Sequence, residues 1–136
     1  MTHDIPPDRA DQARALFDDL IAGRWEMARQ EFDVIMRGHA DADAERIARG
    51  WTHVADRAGS FKRMGALSAR QSGDYTVMDV PLTFGAGEAI GRVVLNRDGK
   101  VAGLSLEYPY RRRLDPRPVQ GFVLRNPEVA GFFARF

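Results

Sequence analysis

The chain lacks cysteine, and this absence excludes several kinds of chemistry. Without Cys among its 136 residues, it can have no disulfide, no thiolate nucleophile and no Cys-bound zinc or iron–sulfur cluster. An excess of charge of one sign is also missing, because 20 Lys and Arg stand against 19 Asp and Glu, a formal net charge of +1. Length and composition are those of one ordinary globular domain.

Long apolar runs are absent as well. The longest uncharged stretch is far shorter than the roughly 20 residues that a membrane-spanning helix needs. Residues 1–7 have neither a basic opening nor an apolar run behind them. We therefore expect no signal peptide, no membrane partner and a cytoplasmic location.

Several familiar motifs are missing too. There is no Gly-rich phosphate loop, no Gly-x-Ser-x-Gly turn and no His-Glu-x-x-His pair, so nothing favours nucleotide hydrolysis or serine-hydrolase chemistry. Three arginines at 111–113 lack interleaved aromatics, and we expect no nucleic-acid partner. Ligand atoms alternate over residues 39–45, but helix capping explains these acids without a metal. We expect no metal and no cofactor.

The first half of the chain predicts three helices, over residues 8–22, 24–36 and 41–59. Asp8 and Asp41 are the expected N-caps, and Gly23 and Gly59 the expected stops. His53 should face solvent. The predicted buried stripes are Ala13, Leu16, Phe17, Leu20 and Ile21 in the first helix, Trp25, Ala28, Phe32 and Ile35 in the second, and Ala44, Ile47, Trp51, Val54, Ala55 and Ala58 in the third.

The second half predicts four β-strands, over residues 61–69, 75–84, 89–96 and 101–108. Gly and Asp in the connections indicate hairpin turns and hence an antiparallel meander. On the second strand Met78, Val80, Leu82 and Phe84 form an apolar face that alternates with a mixed one. We predict an α+β fold in which the helices pack on a curved four-stranded antiparallel sheet.

Residues 109–136 differ from the rest, with six Arg against Asp115 and Glu128. We predict a domain over residues 1–108 and a C-terminal extension over 109–136. Asn126 and Pro127 predict the start of a short terminal helix. Its apolar side chains are Val129, Phe132, Phe133 and Phe136. They need to be covered by the rest of the domain, by a neighbouring copy or by a partner.

Particular residues carry a family likeness: the helix from about Ala13, Gly23-Arg24-Trp25, Phe32-Asp33, Trp51, Gly59-Ser60-Phe61, Tyr75-Thr76-Val77 and the hairpin over 96–103. Over about residues 10–108 the chain resembles the domain-of-unknown-function family 3887. The resemblance implies a nuclear-transport-factor-like, cystatin-like fold with a cone between sheet and helices. It also implies an enzyme partner such as an α/β-hydrolase, but no catalytic residues.

Enzymes of that superfamily use the cone as an apolar pocket, where burial raises the pKa of a carboxylate base and a Tyr hydroxyl polarises a carbonyl. By this resemblance Asp79 is the predicted base. Tyr108 and Tyr110 are the predicted donors, and Trp51, Phe84 and Glu107 the predicted ligand contacts. Asp33 is a further carboxylate that can point inward. Strand alternation offers another interpretation of Asp79, as an exposed residue or an ion-pair partner of Arg92.

Two classes of function remain open at this point. The first is a non-catalytic module that forms a homodimer through the open face of its sheet and binds a small apolar ligand or a protein partner. The second is a cofactor-free isomerase, cyclase or dehydratase that abstracts a proton next to a carbonyl. A further hypothesis makes the extension a docking segment for a partner enzyme.

Overall fold

The computed structural model describes residues 7–38, 44–108, 119–125 and 127–133. Its helices are α1 (Pro7–Ile21), α2 (Trp25–Arg29), α3 (Val34–Arg37), α4 (Ala44–Ala58) and a C-terminal 3₁₀ helix (Pro127–Phe133). Its strands are β1 (Phe61–Met64), β2 (Ser68–Ser72), β3 (Tyr75–Phe84), β4 (Gly87–Leu95), β5 (Val101–Tyr108) and β6 (Val119–Arg125). The predicted cap Asp41 lies outside the described residues.

The strands form one antiparallel sheet in the order β1, β3, β4, β5, β6. β1 pairs with residues 82–84 of β3, and β2 pairs with residues 75–79 of the same edge. The two strands are therefore one interrupted strand, which the sequence predicts over residues 61–69. The predicted α+β class with an antiparallel sheet is confirmed. The count of four strands is wrong, because of this interruption and because β6 joins β5.

Pro81 explains where the first strand breaks. Its carbonyl accepts a hydrogen bond from the Gly65 N–H at 2.7 Å. In an antiparallel ladder the nitrogen of the same residue faces the same neighbour, and a proline nitrogen has no hydrogen to donate. The edge facing β1 and β2 thus lacks a donor at this position, and pairing stops between Met64 and Ser68.

The stripes predicted for the first and third helices are confirmed in α1 and α4, although Ile21, Ala44 and Ala55 are only partly buried. Ala13, Leu16, Phe17 and Leu20 of α1 are buried, as are Ile47, Trp51, Val54 and Ala58 of α4. They pack on one face of the sheet, the helix face, whose buried residues include Met78, Val80, Leu82 and Phe84. His53 is exposed, as expected.

The predicted single helix over residues 24–36 is wrong. It is divided into α2 and α3 because the segment between them pairs with the start of β5. The Val101 N–H donates to the Glu31 carbonyl at 2.7 Å, and the Asp33 N–H donates to the Val101 carbonyl at 2.8 Å. This bridge requires extended backbone at Phe32. As a result Met36 is buried, whereas Ile35, predicted to be buried, is exposed.

The opposite face of the sheet, the outer face, is covered by the end of the chain. Val77, Val94 and Ala102 of the sheet form a second apolar cluster with Val129 and Phe133 of the 3₁₀ helix. Val129 and Phe133 are buried, and Phe132 packs against the cluster. The predicted need for a cover on these side chains is thus met by the chain's own sheet, while Phe136 lies outside the described residues.

Two glycines let aromatic rings approach the sheet from opposite sides. A Cβ at Gly91 of β4 would overlap the ring of Phe17 on the helix face. A Cβ at Gly103 of β5 would overlap the ring of Phe133 on the outer face. Because glycine has no Cβ, these two positions allow close packing on both faces of the sheet.

We expect Gly91→Ala to destabilise the fold by roughly 1–3 kcal/mol, because the added methyl group overpacks against Phe17. Gly131→Ala is the matched control, since a Cβ there meets nothing within 4 Å. Urea unfolding followed by circular dichroism measures both. Equal stability of the two variants would contradict the described contact between α1 and β4.

Candidate functional site

Asp79 lies on the outer face and forms a bidentate ion pair with Arg92. Asp79 Oδ1 accepts from Arg92 Nε at 2.7 Å, and Oδ2 accepts from Nη2 at 2.9 Å. The two residues are direct cross-strand partners on β3 and β4. Arg92 Nη1 also donates to the Phe132 carbonyl at 2.6 Å. Asp79 therefore anchors the C-terminal 3₁₀ helix through Arg92, and it does not lie between the sheet and the helices.

We expect Asp79→Asn to lower the free energy of unfolding by about 1 kcal/mol, because Arg92 loses a bidentate, charge-assisted partner. The exposed fractions of the two side chains are 22% and 31%, so solvent screens the pair only in part. The loss should shrink in 1 M NaCl. Urea unfolding at low and high salt is the measurement.

Glu26→Gln provides the control for that measurement. Glu26 pairs with Arg29 at 3.0 Å, but its side chain is 69% exposed, and such pairs contribute little to stability. We expect its loss to fall within about 0.5 kcal/mol of zero. A loss for Asp79→Asn that is no larger than the control's would contradict the anchoring role.

The other predicted site residues do not assemble around a common point in the described residues. Trp51 and Phe84 are buried in the core, with ring centroids 5.9 Å apart. Glu107 and Tyr108 belong to β5, where their Cα atoms pair with Gln120 and Val119. Tyr110 and the side chains of Glu107 and Tyr108 lie outside the description. The roles assigned to these residues stay predictions.

A groove lies at the end of the sheet where β4 turns into β5; we call it the end groove. Its volume is about 540 Å³. Three chain segments supply its walls: residues 30–37 around α3, the start of β3, and the turn before β5. The lining residues are Gln30, Phe32, Asp33, Val34, Ile35, Arg37, Asp74, Tyr75, Asn96, Arg97, Asp98 and Lys100.

Apolar side chains are exposed at the end groove. Val34 is 87% exposed and Ile35 is 48% exposed. Both follow Asp33, whose buried Oδ1 accepts a hydrogen bond from the Met36 N–H at 2.7 Å and caps α3. Asp33, which the sequence indicates as a carboxylate that can point inward, therefore acts as the N-cap of α3. The cap places Val34 in the first turn of α3, where it is exposed to solvent.

Cations line the same groove. Arg37, Arg97 and Lys100 are among its lining residues, and no ion pair holds them within the part of the chain that the structure describes. The groove also contains Asp74 and Asp98, besides the capping Asp33. The groove can therefore bind a ligand that has an apolar part and an anionic part. The exposed apolar side chains would cover the first part, and the cations would pair with the second.

Comparison with known protein families matches residues 13–104 to the family described as protein of unknown function, DUF3887. The chain belongs to this family. No curated protein and no solved structure matches it. The match ends at Leu104 within β5, so β6 and the C-terminal 3₁₀ helix lie beyond the part shared with DUF3887.

The end groove of this DUF3887 chain was missed by reasoning from the sequence. Ile35 fits the predicted stripe of a longer helix, and Arg97 and Asp98 fit a predicted hairpin turn. Asp33 directly before Val34 was the available signal, because Asp is a preferred N-cap and predicts a new helix start there. No local sequence pattern indicates that the three segments of the end groove, which are distant in sequence, meet in the fold.

No helix among the described ranges is both long and apolar enough to cross a bilayer. Within those same ranges, no group of three His, Asp or Glu side chains is placed to hold a metal ion. Asp41 and Asp43 of the acidic stretch lie outside them. The cytoplasmic location stays a prediction.

Proposed function

We propose that this DUF3887 domain is a non-catalytic, self-associating module whose end groove binds an apolar ligand that carries an anionic group. The observation that carries the proposal is the exposure of Val34 and Ile35 on a groove that also contains three cations without an ion pair among the described residues. The ligand is a small molecule or a segment of a partner protein with this chemistry. An α/β-hydrolase partner stays a prediction of the family resemblance.

The exposed side chains support binding because neither contributes to the core. Val34 is 87% exposed on α3, a helix of only four residues. Its apolar surface is therefore in contact with water in the free protein, which is unfavourable. Covering both side chains would gain roughly 1.5–3 kcal/mol for each if burial were complete. Exposed apolar groups with a polar rim are typical of interaction sites.

The charges support an anionic partner. Asp33 is engaged in capping α3, which leaves three cations against Asp74 and Asp98 in the groove. Arg37 and Arg97 can each hold a carboxylate or sulfonate through two parallel hydrogen bonds. Because these side chains are close to solvent, their contribution should weaken as salt rises.

The enzymatic alternative receives less support. Its predicted base, Asp79, is paired with Arg92 on the outer face, and Trp51 and Phe84 pack against each other in the core. An acid-base role for Asp79 therefore stays a prediction, and no contact in the described residues favours it over the anchoring role.

The test uses 1-anilinonaphthalene-8-sulfonate, a probe with an apolar body and one anionic group. We expect saturable binding with amide shift changes in residues 30–37, 74–75 and 96–100 of the ¹⁵N-labelled chain. Val34→Ser combined with Ile35→Ser should weaken binding about tenfold or more, since two apolar contacts are lost. Stability should change little, because both side chains are exposed.

Met27→Ser is the matched control, because Met27 is 51% exposed and does not line the groove. We expect it to bind the probe as the unaltered chain does. Binding that is unchanged in the Val34/Ile35 variant, or shift changes confined to other parts of the sheet, would contradict the end groove as the binding site.

A further inference from the structure

We propose that Gln12 and Arg9 of α1 are positioning residues of the end groove. They hold the turn that carries Arg97 and Lys100, and in this way they determine how well the groove binds the anionic part of a ligand. This positioning role presupposes the proposed binding function, and neither α1 residue is among those that line the groove.

The turn, residues 96–100, is shaped by its own hydrogen bonds. Asn96 Oδ1 accepts from the Asp98 N–H at 2.9 Å and from the Lys100 N–H at 3.0 Å. The Asn96 N–H donates to the Lys100 carbonyl at 2.9 Å. All of these bonds lie within the turn, so they fix its conformation and not its position relative to the helices.

The hairpin that carries the turn is irregular at its base. The pairing of β4 with β5 shifts register between Val94↔Gly103 and Leu95↔Val101, which leaves Ala102 as an extra residue on β5. A bulge of this kind bends its strand and interrupts the ladder. The regular ladder therefore stops before the turn, and contacts from other elements are needed to fix the tip.

α1 supplies contacts at the tip of the turn. Gln12 Nε2 donates to the Gly99 carbonyl, and Arg9 Nη2 donates to the Arg97 carbonyl at 3.1 Å. Gly99 has a φ of +79°, and a Cβ there would overlap the Arg9 guanidinium, so only glycine lets α1 come this close. Both acceptors are main-chain carbonyls. The two bonds thus hold the backbone from which Arg97 and Lys100 extend.

The two kinds of binding group in the groove depend on different elements. Arg97 and Lys100 belong to the turn, whereas Val34, Ile35 and the third cation, Arg37, belong to α3. A loose turn has to be ordered when the ligand binds, and this ordering opposes binding. Loss of the contacts from α1 should therefore weaken binding of the anionic part of a ligand and leave binding of the apolar part intact.

The test compares 1-anilinonaphthalene-8-sulfonate with N-phenyl-1-naphthylamine, the same molecule without the sulfonate. Gln12→Met removes the donor, keeps a side chain of similar length and changes no charge. We expect the dissociation constant for the sulfonate to rise about threefold to tenfold and that for the neutral probe to stay within about twofold. In the ligand-free variant, ¹⁵N relaxation should show increased motion at residues 97–100.

Arg14→Met is the matched control, because Arg14 is exposed on the same helix. This variant removes a charge from α1 and keeps both contacts to the turn. Since an exposed charge is screened by solvent and salt, we expect both dissociation constants to stay within about twofold of those of the unaltered chain.

Two results overturn the positioning role alone: Gln12→Met binds the sulfonate as the unaltered chain does, or it loses affinity for both probes equally, as a general structural defect would cause. If the sulfonate shifts no amide of residues 30–37 or 96–100 in the unaltered chain, the proposed function fails and the positioning role fails with it. Gln12→Ala replaces Gln12→Met if the latter does not fold.

Discussion

The sheet is apolar on both faces, and this constraint determines the rest of the structure. β3, β4 and β5 direct Met78, Val93 and Leu104 towards the helices and Val77, Val94 and Ala102 away from them. Each face therefore needs a cover. α1 and α4 supply one, and the C-terminal 3₁₀ helix supplies the other. The DUF3887 match covers β1 to β4, the start of β5 and the helical cover, so β6 and the outer cover belong to the remainder of this chain.

This division of roles separates architecture from binding. The ion pair of Asp79 and Arg92 lies beside the outer cover and holds the carbonyl of Phe132, so its charges serve the packing of the C-terminal 3₁₀ helix. The end groove is formed where neither cover extends, by α3 and the turn before β5. Val34 and Ile35 are exposed there because the bridge between Phe32 and Val101 interrupts the helix, so that Met36 of α3, and not Ile35, faces the core.

Local patterns predicted the parts of the fold that depend on local periodicity. The stripes of α1 and α4 and the alternation of β3 follow directly from residue spacing. The division between α2 and α3 depends on hydrogen bonds to Val101, about 70 residues later in the chain, which no local pattern reveals. β6 was missed because Pro116, Pro118 and Pro127 indicated loop. For Asp79, alternation already favoured Arg92 as a partner, whereas the superfamily resemblance favoured catalysis.

The central claim, that the outer face is completed by the end of the chain, is tested most directly by nuclear Overhauser effects from the Phe133 ring. We expect strong effects between its ring protons and the Gly103 Hα atoms, with the Hα resonances displaced from random-coil values by the ring current. The Phe17 ring and Gly91 provide the internal comparison on the helix face. Random-coil shifts for Phe133 and no effects to Gly103, with those of Phe17 intact, would contradict the account.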